Sequence, residues 1–232
     1  MSAGILEKLR ETLEEALPRT EAAAILFAAL ARWGPRIPGD DTEIAGFVRG
    51  ALHDELSARV PSRSLSPLLR AIEDVLATAG APTADHEIPI DVEEAPRWRD
   101  EVSTKAMRSI AGPVPVLVIA ATTAFALRLR LALGDAMIDV EARNDLPAVE
   151  RALKASALTV IDGRDPSAIP IDRLADALVH ATTTHVVVWG SDTVHGRKVA
   201  EATDARGMTV SGIASSEGIG PIFDLVTSRR SA

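Results

Sequence analysis

The sequence predicts an α/β protein: a doubly wound, five-stranded parallel sheet in the C-terminal half, preceded by a small all-α domain. Three observations predict it. Residues 114–123 form a near-continuous, β-branched apolar run behind Gly112-Pro113, the mark of a strand buried on both faces. Runs of the same kind recur at 157–162 and 184–190. Helix-length amphipathic segments separate them, and such alternation of strand and helix is how a doubly wound sheet reads in sequence. Ligands of these sheets sit at the carboxyl ends of the strands, so the residues there are the first candidates for function.

Composition narrows the classes. The 232-residue chain suits one or two domains, and its 47% apolar residues are ample for packed cores. It carries 33 acidic and 25 basic residues, a net charge of -8. Neither side of Gly112 is basic, with 19 acids against 13 bases before it and 14 against 12 after it. Nucleic-acid binding, which needs clustered cations, is therefore not expected. There is no cysteine, so disulfide and thiolate chemistry are excluded. No signal peptide and no membrane insertion are expected, and the predicted location is cytoplasmic.

In chain order, Leu6, Leu9, Leu13 and Leu17 share one face of a first helix that Pro18 closes. Thr20 is placed to cap a second helix, carrying Ile25, Leu26, Phe27 and Leu30 and stopping near Trp33-Gly34-Pro35. A third, from Thr42, spaces Ile44, Phe47, Val48, Leu52 and Leu56 helically. Ser66-Pro67 reads as the start of a fourth, which Gly80 stops. Residues 1–80 thus form a small helical bundle. Residues 81–112 are acidic and hold Pro82, Pro89 and Pro96, so they read as a connector, extended at 88–92 and helical from 96 to 110. Residues 113–232 form the α/β domain, with weaker strands at 136–141 and 208–213 and helices at 125–133, 146–155, 172–181, 193–206 and 219–228. Each domain has its own apolar periodicity and is expected to fold separately.

The third strand ends in Asp162-Gly163-Arg164-Asp165-Pro166. With five βα units around it, this stretch resembles the receiver domain of bacterial response regulators over residues 114–231. The resemblance implies a flavodoxin-like sheet with Asp162 at the phosphoacceptor position and Pro166 at the proline that commonly follows it. It also implies an acidic pair after the first strand to hold Mg²⁺, a hydroxyl after the fourth and a lysine after the fifth. Residues 120–123 are Ala-Ala-Thr-Thr, with no carboxylate, and 214–216 are Ala-Ser-Ser, with no cation. Thr122 and Ser191 are the supporting positions that remain. The expectation is a degenerate receiver, and no cofactor or metal is expected.

Simpler readings accompany these sites. Asp162 can accept backbone N–H bonds from its own turn. The stretch 190–198, with Arg197 and Lys198, is a capped helix start rather than a phosphate loop, because its spacing departs from that motif. The five histidines (His53, His86, His180, His185, His195) show no metal-ligand spacing. Trp189 reads as core packing, and Trp98 as a docking anchor.

The function expected is that of a non-enzymatic signalling or scaffold protein acting through protein–protein contact, with a protein partner or a second copy of itself. Its contact surface is expected on the fourth helix, fifth strand and fifth helix of the α/β domain. There Arg197, Lys198, Arg206 and Arg229 form a cationic rim around Val199, Val210, Ile222 and Val226. Two alternatives stand beside it: an aspartate-phosphorylated regulator with an atypical site, and a small-molecule sensor or enzyme using Asp162, Ser191, Asp192 and His195 at the strand ends.

Overall fold

The structure is a computed structural model that describes residues 2–79, 112–181 and 184–230. Trp98 and the connector, apart from Gly112, lie outside the described residues. The N-terminal part is helical: α1 (Ser2–Ala16), α2 (Arg19–Trp33), α3 (Asp41–Phe47), α4 (His53–Arg59) and α5 (Ser62–Ala79). A π-helical turn at Val48–Leu52 joins α3 to α4, so the third predicted helix is one continuous rod. Leu6, Leu9 and Leu13 are buried with Ile25, Leu26, Leu30, Ile44, Phe47, Leu52, Leu56 and Ile72 in one core.

Two predicted helix starts are corrected. Thr20 does not cap α2, which begins at Arg19 behind Pro18 with no side-chain cap. Helix α5 starts four residues before Ser66, because the N–H groups of Ser64 and Leu65 already bond the carbonyl of Pro61 at 2.9 and 3.1 Å. Pro67 is inside the helix, where the N–H it lacks would have reached the Arg63 carbonyl.

The C-terminal part alternates β1 (Val114–Ile119), α6 (Ala124–Leu133), β2 (Ile138–Arg143), α7 (Leu146–Leu153), β3 (Leu158–Asp162), α8 (Ile171–Val179), β4 (His185–Trp189), α9 (Val194–Asp204), β5 (Ser211–Ile213) and α10 (Gly220–Arg230). All pairings are parallel, in the order β2-β1-β3-β4-β5. Strand β2 begins two residues later than predicted. The N–H groups of Met137 and Ile138 turn back to the Gly134 carbonyl at 3.0 and 3.3 Å, which sets Ile138 opposite Val114. Strand β5 keeps only the last three of its six predicted residues.

The central strands are buried on both faces. Val116, Val118, Val160, Val187 and Trp189 meet α6 and α10, whereas Leu117, Ile119, Ile161, Val186 and Val188 meet α7, α8 and α9. The first of these cores is not closed by its own helices alone: Ala23 and Phe27 of α2 are buried in it. Helix α2 therefore serves two cores, which explains why it is apolar nearly all round. Among the described residues no helix is long and apolar enough to cross a membrane.

Candidate functional site

The carboxyl ends of β1, β3, β4 and β5 converge, and the loops that follow them are tied to one another. Asp162, the last residue of β3, is only 4% exposed. Its Oδ1 accepts the N–H of Arg164 at 2.9 Å and that of Asp165 at 3.3 Å, the turn-closing role an aspartate can take after a strand. Burial pushes its carboxyl above the ordinary value. The two backbone bonds and nearby Arg164 pull it back, and Asp165 adds a smaller upward push.

The sign of that balance fixes a pH dependence. Because the folded state disfavours ionised Asp162, its contribution to stability is intact below the usual carboxylate range. That contribution is lost as pH rises through the raised value. Asp162→Asn keeps the accepting oxygen and removes the charge. It is expected to raise the melting temperature at pH 7, with the gain shrinking toward roughly pH 4. Thermal unfolding across that range checks it; a gain that grows on acidification would contradict it.

Thr122 is held by Asp165, to which the sequence assigns no role of its own. Asp165 Oδ2 accepts both the Thr122 N–H (3.0 Å) and its hydroxyl (2.5 Å), while the Asp165 carbonyl accepts the Ala121 N–H at 2.9 Å. The β3 loop thus brings a carboxylate to the first-strand loop that lacks one. The signal was the second aspartate three residues after Asp162.

Ser191 lies against β5, where a Cβ on Gly212 would come within 3.2 Å of its hydroxyl. Asp192 is spent on the β5 loop: its Oδ1 accepts the Ser215 N–H at 2.9 Å, which holds its carboxyl below the ordinary range. Thr193 caps α9 by accepting the Gly196 N–H at 3.0 Å. Half-buried His195 is lowered in pKa by burial and then by Lys198. Among the described residues, Asp162, Ser191, Asp192 and His195 form no hydrogen-bonded set. Nor do three or more His, Cys, Asp or Glu side chains gather as a metal site.

Beneath the loops lies an aromatic junction. Trp189, 1% exposed, has ring centroids of Phe125 and Phe27 at 4.7 and 5.7 Å, and Phe27 lies 5.6 Å from Phe125. The Arg164 guanidinium covers the Trp189 ring at 4.8 Å. Arg128, 9% exposed, donates from Nη2 to the Gly34 carbonyl at 3.1 Å, while its Nε has no partner among the described residues. Burial lowers its pKa, as does neighbouring Arg164; Asp162 and Asp165 oppose this. Neither Arg128 nor Phe27 was a sequence candidate. The trace of Arg128 was its place on the stripe of Phe125 and Ala132, three residues after one and four before the other.

The predicted contact face changes in character. Arg197 and Lys198 are exposed, and Arg197 Nη1 donates to the Asp192 carbonyl at 3.1 Å. Arg206 is committed to α8, with Nε 2.7 Å from Asp176 Oδ1 and Nη2 3.4 Å from Asp172 Oδ1. Val199, Ile222 and Val226 are fully buried and lie in cores on opposite sides of the sheet, and Val210 packs partly against one of them. They do not supply a shared apolar centre; Val194, 63% exposed, is the large apolar residue that α9 presents. Clefts of some size lie elsewhere. One of about 430 Å³ between α1 and α6 and another of about 530 Å³ within the helical bundle are lined mainly by apolar residues such as Leu6, Leu131, Ile44 and Leu76.

Fold and site together define an all-parallel α/β sheet protein whose strand-end loops are closed on one another and which shares a core with an N-terminal helical region. Compared with known proteins, the chain matches no family model, no curated protein and no solved structure.

Proposed function

We propose that this is a cytoplasmic, non-enzymatic signalling or scaffold protein that acts by protein–protein contact through a degenerate receiver-like domain. The strand order 2-1-3-4-5 is that of flavodoxin-like sheets, which supports the receiver comparison. The observation that carries the reading is the state of Asp162. Its carboxylate is buried and closes its own turn, and the loop where receivers bind Mg²⁺ is tied to Asp165 through Thr122. Phosphoryl transfer to an aspartate needs an accessible carboxylate and a divalent cation to neutralise the transferring group. Residues 120–123 offer hydroxyls and methyl groups in place of cation-binding carboxylates. Helix α2 adds Phe27 to the aromatic junction on the same side of the sheet, so the helical part is positioned to sense or transmit changes there.

The test is incubation of the full chain with millimolar Mg²⁺ and acetyl phosphate, followed by intact-mass measurement. An unchanged mass is expected. One added phosphate that Asp162→Ala abolishes would overturn the reading in favour of a working receiver.

A further inference from the structure

We propose that Trp98 of the chain's own connector seats in the cleft between α1 and α6 and so ties the helical part to the sheet domain. The cleft has a volume of about 430 Å³ and is lined by Leu6 of α1, Ile37 and Pro38 of the loop after α2, and Leu127 and Leu131 of α6. Leu127 is 43% exposed, one of two large apolar side chains so exposed among the described residues. The Arg10 guanidinium packs on the turn at Gly134, where a Cβ would stand 2.8 Å from its Cζ. An apolar cleft with a polar rim suits a side chain that buries its body and keeps one polar group near water. An indole is such a side chain, and it buries about 150–250 Å².

The places where the described chain leaves and returns flank this cleft. Near the end of α5, Leu76 and Ala77 line the bundle cleft together with Ile5, the neighbour in α1 of Leu6. On the other side Pro113, just before β1, lines a small cleft with Arg130 and Asp135, which also line the cleft between α1 and α6. The Val114 N–H bonds the Met137 carbonyl at 3.0 Å and the Met137 N–H bonds that of Gly134, again at 3.0 Å, which fixes the return beside the Gly134 turn. Trp98 is 19 residues past Ala79 and 14 before Gly112. Either length spans about 45 Å or more when extended, so the cleft is within reach from both ends. A tethered segment also has an effective concentration on the order of millimolar, which favours it over a second copy or a free partner.

Charge selects which half of the connector enters. Residues 81–95 carry Asp85, Glu87, Asp91, Glu93 and Glu94 with no Lys or Arg. Residues 96–110 carry Arg97, Arg99, Lys105 and Arg108 against Asp100 and Glu101, and two of those arginines flank Trp98. At the cleft Arg10 pairs with Glu14 at 2.6 Å and Glu7 at 3.8 Å, and Arg130 pairs with Asp135 at 2.5 Å, so two cations stand against three acids. The side chains of Glu7 and Asp135 are 61% and 65% exposed, open to cations at the rim. This rim attracts the half around Trp98 and repels the acidic one. Such exposed charges contribute little affinity themselves; apolar contact with Leu127 and Leu131 holds the ring.

Fluorine NMR of the full chain labelled with 5-fluorotryptophan tests this. The chain has three tryptophans, and Trp98→Phe identifies the resonance of residue 98. Its shift between H₂O and D₂O, which reads contact with solvent, is expected to be near zero at every protein concentration. Leu127→Glu and Leu131→Glu should each raise it toward the value of free 5-fluorotryptophan while circular dichroism shows the chain folded. Leu127→Glu, at an exposed position, carries the test should Leu131→Glu unfold. Leu76→Glu, in the bundle cleft, should leave the resonance as it was. A full solvent shift in the parent chain overturns the proposal. So does a small shift indifferent to Leu127→Glu, or one lost only on Leu76→Glu, which would move the seat to the bundle cleft. A solvent shift that grows on dilution overturns it too, in favour of the cleft of a second copy.

Discussion

Gly196→Ala is expected to destabilise the protein by about 3 kcal/mol or more, among the larger effects of any single added methyl group. A Cβ at this position would stand 2.3 Å from the Gly190 carbonyl oxygen and 3.0 Å from both the Gly190 carbonyl carbon and the Ser191 Cα. All three neighbours are backbone, so no side chain can rotate aside. Gly190 cannot yield easily either. It sits at φ +78, a region open to glycine, and its N–H bonds the Ile213 carbonyl at 2.8 Å. A Cβ on Gly163 would itself come within 2.8 Å of that same Gly190 oxygen, so the β3 and β4 loops and the first turn of α9 meet at near-minimum separation. The methyl group must lift the start of α9 from the sheet and loosen the Thr193 cap. Urea unfolding measures the cost, with Gly50→Ala as the contrast. Gly50 lies in the π turn with nothing within 4 Å of its would-be Cβ, so its replacement should stabilise by about 0.5–1 kcal/mol. A Gly196→Ala protein as stable as the parent would mean that this loop packing is soft.

What the sequence revealed and what it hid follow from how far each signal reaches along the chain. Strands β1, β3 and β4 were legible because burial on both faces leaves a short apolar run rich in β-branched residues. The start of β2 was misplaced because Ala136 and Met137 are as apolar as strand residues. The turn that claims them is set by Gly134, which adopts φ +82. The fourth helix was started late because Ser66-Pro67 is a good local start signal, but Pro61 upstream is an equally good one and came first. At the site, Asp162 was legible because its role is local, a bond to the N–H two residues on. The Thr122–Asp165 bond spans 43 residues and the Arg128–Gly34 bond 94, so no local pattern announces them. The shared apolar centre expected around Val199 and Ile222 is split between two cores for a related reason. The two residues lie on helices packed against opposite sides of the sheet, which the order of elements alone does not display.

Phe27→Ala is expected to cost about 3–5 kcal/mol and, more tellingly, to separate the unfolding of the two halves. Truncation removes a ring that meets Phe125 and Trp189 edge-on, at 74° and 82°, and leaves a cavity at the junction. The other α2 side chains in the bundle core, Ile25, Leu26, Ala29 and Leu30, are untouched, so the helix itself has reason to remain. In the intact protein Phe27 and Ala23 close the α6–α10 side of the sheet, and Arg128 bonds the end of α2. The separate folding expected from residues 1–80 and 113–232 therefore has an energetic cost: apart, the sheet would expose part of the surface of Phe125 and Trp189. Two tryptophans make this measurable, since Trp33 packs on Phe47 at 6.0 Å in the bundle and Trp189 lies in the sheet. With Trp33→Phe and Trp98→Phe, fluorescence reports Trp189 alone, while far-ultraviolet circular dichroism reports all helices. The two curves should coincide when Phe27 is present, as one cooperative unit requires, and diverge in Phe27→Ala. A loss below about 1 kcal/mol with coincident curves would show that the contact is incidental and that the helical part is not coupled to the strand ends through α2.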